Sequence, residues 1–147
     1  MKLSGDDYIG GAAERVQAAR VMYDGGRYVD ALYLAGVAVE CVLRAYAKEE
    51  NDEFDGRHDL LRLLKAATLE QFVGEKQRQS ISAALGEVWA RWKNNYRYAP
   101  DPRLRAEVKR LQLDRGIKGD ALKENARVSL ENALVIVNKG TFQWKKT

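Results

Sequence analysis

Gly26–Tyr46 reads GRYVDALYLAGVAVECVLRAY, an almost unbroken apolar run that carries Glu40 and Arg44 in its second half. From Ala31 to Val39 it is apolar nearly all round. A helix of that kind is one surrounded by other helices. The run is therefore expected to form the central member, about Arg27–Glu50, of an all-α bundle. Its apolar part, Ala31–Ala47, is interrupted by Gly36, Glu40 and Arg44 and falls short of the roughly 20 residues a spanning helix needs. It reads as a core helix, and no membrane is expected among the partners. Gly36 and the alanines at 31, 35 and 38 are placed to let neighbouring helices approach closely. A buried carboxylate without a partner costs several kcal/mol, so Glu40 calls for one among Arg44, His58 and Arg97. Arg44, four residues on, is in the favourable order for an intrahelical pair.

Outward from this run, helical periodicity continues and no segment alternates as a strand does. Before it, Ala12, Val16, Ala19 and Tyr23 mark one face of a helix over about Tyr8–Tyr23, closed by the glycine pair Gly25-Gly26. Gly10-Gly11 is likewise read as a helix boundary. After it comes the acidic stretch EENDEFDG, then a shorter helix in RHDLLRLLKAA with Leu60, Leu61, Leu64 and Ala67 inward and His58 and Asp59 at its start. Asp59 suits the first turn, where a carboxylate complements the helix dipole. A third long helix is predicted over about Gly74–Tyr96, with Ile81, Ala84, Leu85, Val88, Trp89, Trp92 and Tyr96 on one face. Pro100 and Pro102 end it. Leu104, Val108 and Leu111 suggest a short helix, broken by Gly116 and Gly119. The last helix is expected to start at the N-cap Asp120, run to Asn138 and stop at Gly140, with the tail TFQWKKT docked by Phe142 and Trp144 or mobile.

The 147 residues are enough for one domain with its own core, and 46% hydrophobic with 31% charged residues is the balance of a folded chain. A lone cysteine, Cys41, permits no internal disulfide and reads as a buried thiol. The start, MKLSGDDYIGG, has no apolar stretch typical of a secretory signal, so a cytoplasmic location is expected. One cysteine and one histidine cannot make a structural zinc site, and no phosphate loop of the Gly-rich, Lys-Ser/Thr type occurs. Neither a metal nor a cofactor is expected. Charge is unevenly spread: Arg91–Lys118 holds nine basic and three acidic residues, net +6, against +4 for the whole chain. Such a segment suits phosphate or an acidic partner, or serves as a solvated connection.

Taken together, GRYVDALYLAGVAVECVLRAY, the HDLLRLL after an acidic loop, the aromatic helix ending in WKNNYRYAP and the last helix in KENARVSLENALVIVNKG resemble the HEPN domain family over nearly the whole chain. The resemblance implies an up-and-down bundle of four to five helices, commonly a homodimer, often found beside a minimal nucleotidyltransferase. Several branches of the family are metal-independent ribonucleases that act as toxins or in phage defence. They carry an Arg-x4-6-His motif near the end of the third long helix, and two copies meet across the dimer to form the site. The matching arginine here is Arg97, followed by Tyr98, Ala99, Pro100, Asp101, Pro102 and Arg103, with no histidine. The chain's one histidine, His58, lies on another segment.

Cleavage of RNA without metal needs a group to draw the 2′-hydroxyl proton and another to protonate the leaving oxygen. Arginine stabilises phosphate charge but cannot be that base. Arg97 and His58 are therefore the candidate catalytic pair only if folding or dimerisation joins them. The candidate binding residues fall in two groups. One is Glu40, Arg44 and Asp59; the other is Asn94, Asn95, Tyr96, Tyr98 and Arg103 around the arginine. The reading that results is an interaction module, homodimeric, that binds a partner protein or RNA or nucleotide in a toxin–antitoxin or defence-type system. Its alternatives are a ribonuclease toxin using Arg97 with Tyr98, Asn94, Asn95 or His58, and an accessory subunit of a nucleotidyltransferase.

Overall fold

Ser4 opens the first helix. Its hydroxyl accepts from the Asp7 amide at 3.1 Å while the Asp7 carboxylate accepts from the Ser4 amide at 2.7 Å, a capping box built with aspartate. This computed structural model describes residues 1–50, 62 and 74–146. Helix α1 spans Gly5–Asp24 and buries Ile9, Ala12, Val16 and Ala19. The box starts it earlier than its apolar face announces. Gly10 and Gly11 lie inside α1 rather than at a boundary. Its true end is Gly26, at φ +77°: the amides of Gly26 and Arg27 return to the carbonyls of Tyr23 at 3.0 Å and Met22 at 2.8 Å.

Helix α2, Tyr28–Glu50, runs through the middle of the bundle. Ala31, Ala35, Ala38, Val39 and Val42 are wholly buried. The acidic stretch after it and the helix predicted around Leu60, Leu61, Leu64 and Ala67, with His58 and Asp59, lie outside the described residues. Helix α3, Glu75–Trp89, buries Ile81, Ala84, Leu85 and Val88. It ends well short of Tyr96, and Trp89, placed inward by its spacing, is 38% exposed. The chain instead turns extended at Lys93 and forms a 3-10 turn over Asn94–Tyr98. That break lets two aromatic side chains go to different places. Trp92 enters a notch at Gly36, where its indole N–H donates to the Tyr33 carbonyl at 3.1 Å and its ring stacks on Tyr33. Tyr96 goes to a second cluster with Ala31, Leu32, Leu104, Val108, Leu122 and Ala126. A continuous helix would have held both on the face of Ile81 and Val88.

Helix α4, Asp101–Arg110, begins at Pro100 with Pro102 in its first turn, where a missing amide costs nothing. It closes as α1 does, except that the left-handed position is Gln112, at φ 60°. The Gln112 amide returns to Lys109 at 3.0 Å and the Leu113 amide to Val108 at 2.9 Å. Asp120 caps α5, Ala121–Lys146, through the Lys123 amide at 3.1 Å. Helix α5 does not stop at Gly140 but runs through it. A Cβ there would come within 2.5 Å of a Val42 methyl, and the Tyr46 hydroxyl donates to the Gly140 carbonyl at 2.7 Å. Gly140 is small because α2 and α5 touch at that level. Beyond it Trp144 packs edge-on against Tyr46 and donates to Asp6 at 2.7 Å, while Phe142 is 57% exposed. The described residues thus form five α-helices and no strand, an all-α bundle.

Candidate functional site

The 3-10 turn is held from two sides. Trp92 anchors what precedes it at Gly36, and Tyr96, 6% exposed, anchors its middle in the second cluster. Residues between and after these anchors point outward. Lys93, Asn95, Tyr96, Ala99, Arg103, Leu104 and Glu107 line a cleft of about 110 Å³ between the turn and α4. Arg97 and Tyr98 stand on the adjoining surface, the guanidinium 4.6 Å from the centre of the Tyr98 ring. The turn thus carries Asn94, Asn95, Tyr96, Arg97 and Tyr98, with Asn95, Tyr96 and Arg103 lining the cleft.

Glu40 and Arg44 belong elsewhere. Leu32 shares a cluster with Tyr96, and Glu40 lies eight residues further along α2, about 12 Å up the helix axis. Glu40 is 7% exposed and its carboxylate meets Arg44 at 3.8 Å. Of its possible partners the structural one, Arg44, is present, and Arg97 is occupied with Tyr98 instead. His58 and Asp59 lie outside the described residues.

Ion pairing sorts the basic segment. Arg91 holds Glu87 at 2.7 Å and the side-chain Oδ1 of Asn125 at 2.7 Å, and the Asn125 side-chain amide in turn donates to the carbonyls of Leu113 at 3.0 Å and Ala121 at 2.8 Å. Arg105 bridges Asp101 at 2.6 Å and Asp120 at 2.8 Å, and Arg110 donates to Glu107 at 2.6 Å. These three arginines are structural. Lys93, Arg97, Arg103, Lys109, Arg115 and Lys118 have no carboxylate partner among the described residues. Asp101 and Glu107 are already paired, so the unpaired charge of the segment among the described residues is almost wholly positive.

A sequence model of the HEPN domain matches residues 6–115. The chain belongs to the HEPN domain family. Comparisons with curated proteins and with solved structures find no match. The HEPN match covers α1 to the end of α4 and stops before α5, although α5 packs along α2 as an integral part of the bundle.

Protonation limits what this HEPN turn can do. Burial, aided by the Glu107 carboxylate, pushes the Tyr96 phenol up to about 12, so it is a neutral donor at pH 7. Burial likewise raises the Cys41 thiol to about 11, with the Glu40 carboxylate adding to it, which leaves no thiolate for attack. Among the described residues no group of three His, Cys, Asp or Glu side chains gathers as metal ligands, and no helix is long and apolar enough to cross a membrane. Two participants were not singled out by the sequence pattern. Lys93 precedes the asparagines in the same run and was legible there. Asn125 is a buried amide on the inward stripe of Leu122, Ala126 and Ser129, and its spacing was the available signal.

Proposed function

We propose that this HEPN domain is an interaction module that binds RNA through the end of the bundle formed by residues 93–118, without cleaving it, in a toxin–antitoxin or defence-type system. The observation that carries the reading is the set of six cations there without carboxylate partners among the described residues, after Arg91, Arg105 and Arg110 have been used internally. Lysine and arginine so placed neutralise phosphates and release counterions, which gives affinity without base sequence. Binding without cleavage is supported by the groups the turn itself offers, His58 lying outside the described residues. Arg97 cannot accept a proton, Tyr96 keeps its own, and the asparagines do not titrate.

The test is to incubate purified protein with RNA in EDTA while measuring binding at several salt concentrations. The expected result is intact RNA bound with a steep loss of affinity as salt rises. Cleavage that Arg97→Ala abolishes would overturn the non-enzymatic reading, and no binding at low salt would overturn the RNA reading. The homodimer that the family resemblance implies is proposed as well, through the groove of about 590 Å³ between α1 and α5, where Val16, Leu134, Val137 and the exposed Phe142 meet. Sedimentation should give twice the chain mass, and Phe142→Glu should return it to the monomer. A monomeric parent protein refutes this part.

A further inference from the structure

Tyr98 is 72% exposed, a large aromatic ring left in water by a turn whose other aromatic residue, Tyr96, is buried. Packing does not account for it. The ring is nonetheless well placed, because the turn that carries it is fixed by Trp92 in its notch, by Tyr96 in the second cluster and by Pro100 at the start of α4. Arg97 lies over one face at 4.6 Å, which makes the pair a cationic aromatic plate. One residue further on, Ala99 begins the wall of the cleft that holds Lys93, Asn95 and Arg103. Both Lys93 and Arg103 are exposed cations without carboxylate partners among the described residues.

We infer that this juxtaposition is a subsite for single-stranded RNA, in which an unpaired base stacks on the Tyr98–Arg97 plate and the neighbouring phosphate enters the cleft between Lys93 and Arg103. The inference rests on the RNA-binding reading above and adds the form of RNA and the residue that selects it. A stacked base must be out of a duplex, whose base faces are covered, whereas phosphate contacts alone serve single and double strands alike. The stack is tolerant of base identity because every base has a π face. The Asn95 amide, on the cleft wall, supplies a donor and an acceptor within the same subsite.

The experiment compares the full chain with Tyr98→Ala, Tyr98→Phe and Lys93→Ala/Arg103→Ala by fluorescence anisotropy. The probes are a labelled oligoadenylate RNA and an RNA duplex of equal length. Removing the ring should weaken single-strand binding by about 5- to 150-fold, the range for losing one base–aromatic stack. Duplex binding should be unchanged by it, and Tyr98→Phe should keep the parent affinity. The cleft variant should weaken both probes and flatten the salt dependence. Since Tyr98 is exposed, unchanged thermal melting is expected to confirm that the ring and not the fold was removed. Salt-dependent RNA binding that Tyr98→Ala leaves intact, or that Tyr98→Phe reduces as much as Tyr98→Ala, overturns the stacking subsite while leaving the RNA reading standing. A parent protein that binds neither probe overturns both.

Discussion

Replacing Gly36 by alanine sets intrinsic helix propensity directly against packing, and the structure says which wins. In the interior of a helix this substitution is worth about 1 kcal/mol in favour of alanine. At Gly36 the new Cβ would stand 2.1 Å from Cδ1, 2.2 Å from Nε1 and 2.4 Å from Cγ of Trp92. Ordinary contact between carbons is about 3.5–4.0 Å, so the indole must retreat by more than about 1 Å. It has little freedom to do so: Trp92 is 4% exposed, hydrogen-bonded to the Tyr33 carbonyl and stacked on the Tyr33 ring. Squeezing the ring in place costs about 1–3 kcal/mol or somewhat more. Expelling it forfeits about 150–250 Å² of burial, about 4–6 kcal/mol at 25 cal/mol per Å², and the indole hydrogen bond besides. After the helix gain of about 1 kcal/mol is subtracted, the cheaper route, squeezing at the upper end of its range, leaves a net loss of about 2 kcal/mol, which for a domain of this size lowers Tm by about 4–8 °C. Thermal and urea unfolding measure it. Gly86→Ala is the control, since that glycine is exposed in α3 with nothing within 4 Å of an added Cβ, and it should raise Tm slightly. Combining Gly36→Ala with Trp92→Leu should cost much less than the sum of the two. A Gly36→Ala protein that melts at or above the parent temperature, or additive energies in the double variant, would refute the notch argument.

Other outcomes follow from single sites. Gln112 holds the left-handed position that Gly26 fills at the end of α1, and a non-glycine residue there carries a penalty of about 1 kcal/mol. Gln112→Gly should therefore stabilise the protein by about 0.5–1 kcal/mol in urea unfolding, while Gly26→Gln should destabilise it. Hydrogen bonds from Arg105 hold the Asp120 carboxyl below the usual carboxylate range. A depressed native pKa contributes stability above the unfolded value, near 3.9, and loses it as pH falls through the native one. Asp120→Asn keeps a cap of equal quality, so its Tm should fall less steeply than the parent's between about pH 6 and pH 2. Losing the Tyr46 hydroxyl in Tyr46→Phe removes the bond to Gly140 and should cost about 1 kcal/mol, read as a Tm decrease with the α2–α5 packing otherwise unchanged.

The bundle was legible in the sequence wherever one face of a helix alone determined burial. The central position of α2, the apolar stripes of α1 and α3 and the cap at Asp120 all follow from spacing and residue type. What spacing could not convey was where a helix breaks for the sake of a partner far along the chain. Trp92 and Tyr96 continue the stripe of α3 at proper intervals, yet they leave the helix because Gly36 offers one a notch and Leu104 and Leu122 offer the other a second cluster. Gly140 misled for the same reason. Glycine is a helix terminator by local rule, but here it admits Val42 and Tyr46 of another helix. Around the turn, the adjacency of Asn94–Tyr98 is read directly from the sequence. The division of the arginines into structural and free ones was not, because Arg91, Arg105 and Arg110 are settled by partners such as Asn125 and Asp120 whose proximity only the fold creates.

The two clusters of the core also differ in how much of each is local in sequence. Helices α1 and α2 are neighbours in sequence and pair closely, so their contacts close short loops and arise early in folding. The smaller cluster must bring Leu32 together with Leu104 and Leu122 across most of the chain, at a greater cost in loop entropy. It is expected to close late and open early, so its amides in α4 should exchange with solvent ahead of those in the middle of α2. A ligand on the turn would then slow exchange in α4 by the same factor by which it raises overall stability, because opening this cluster alone is enough to release it.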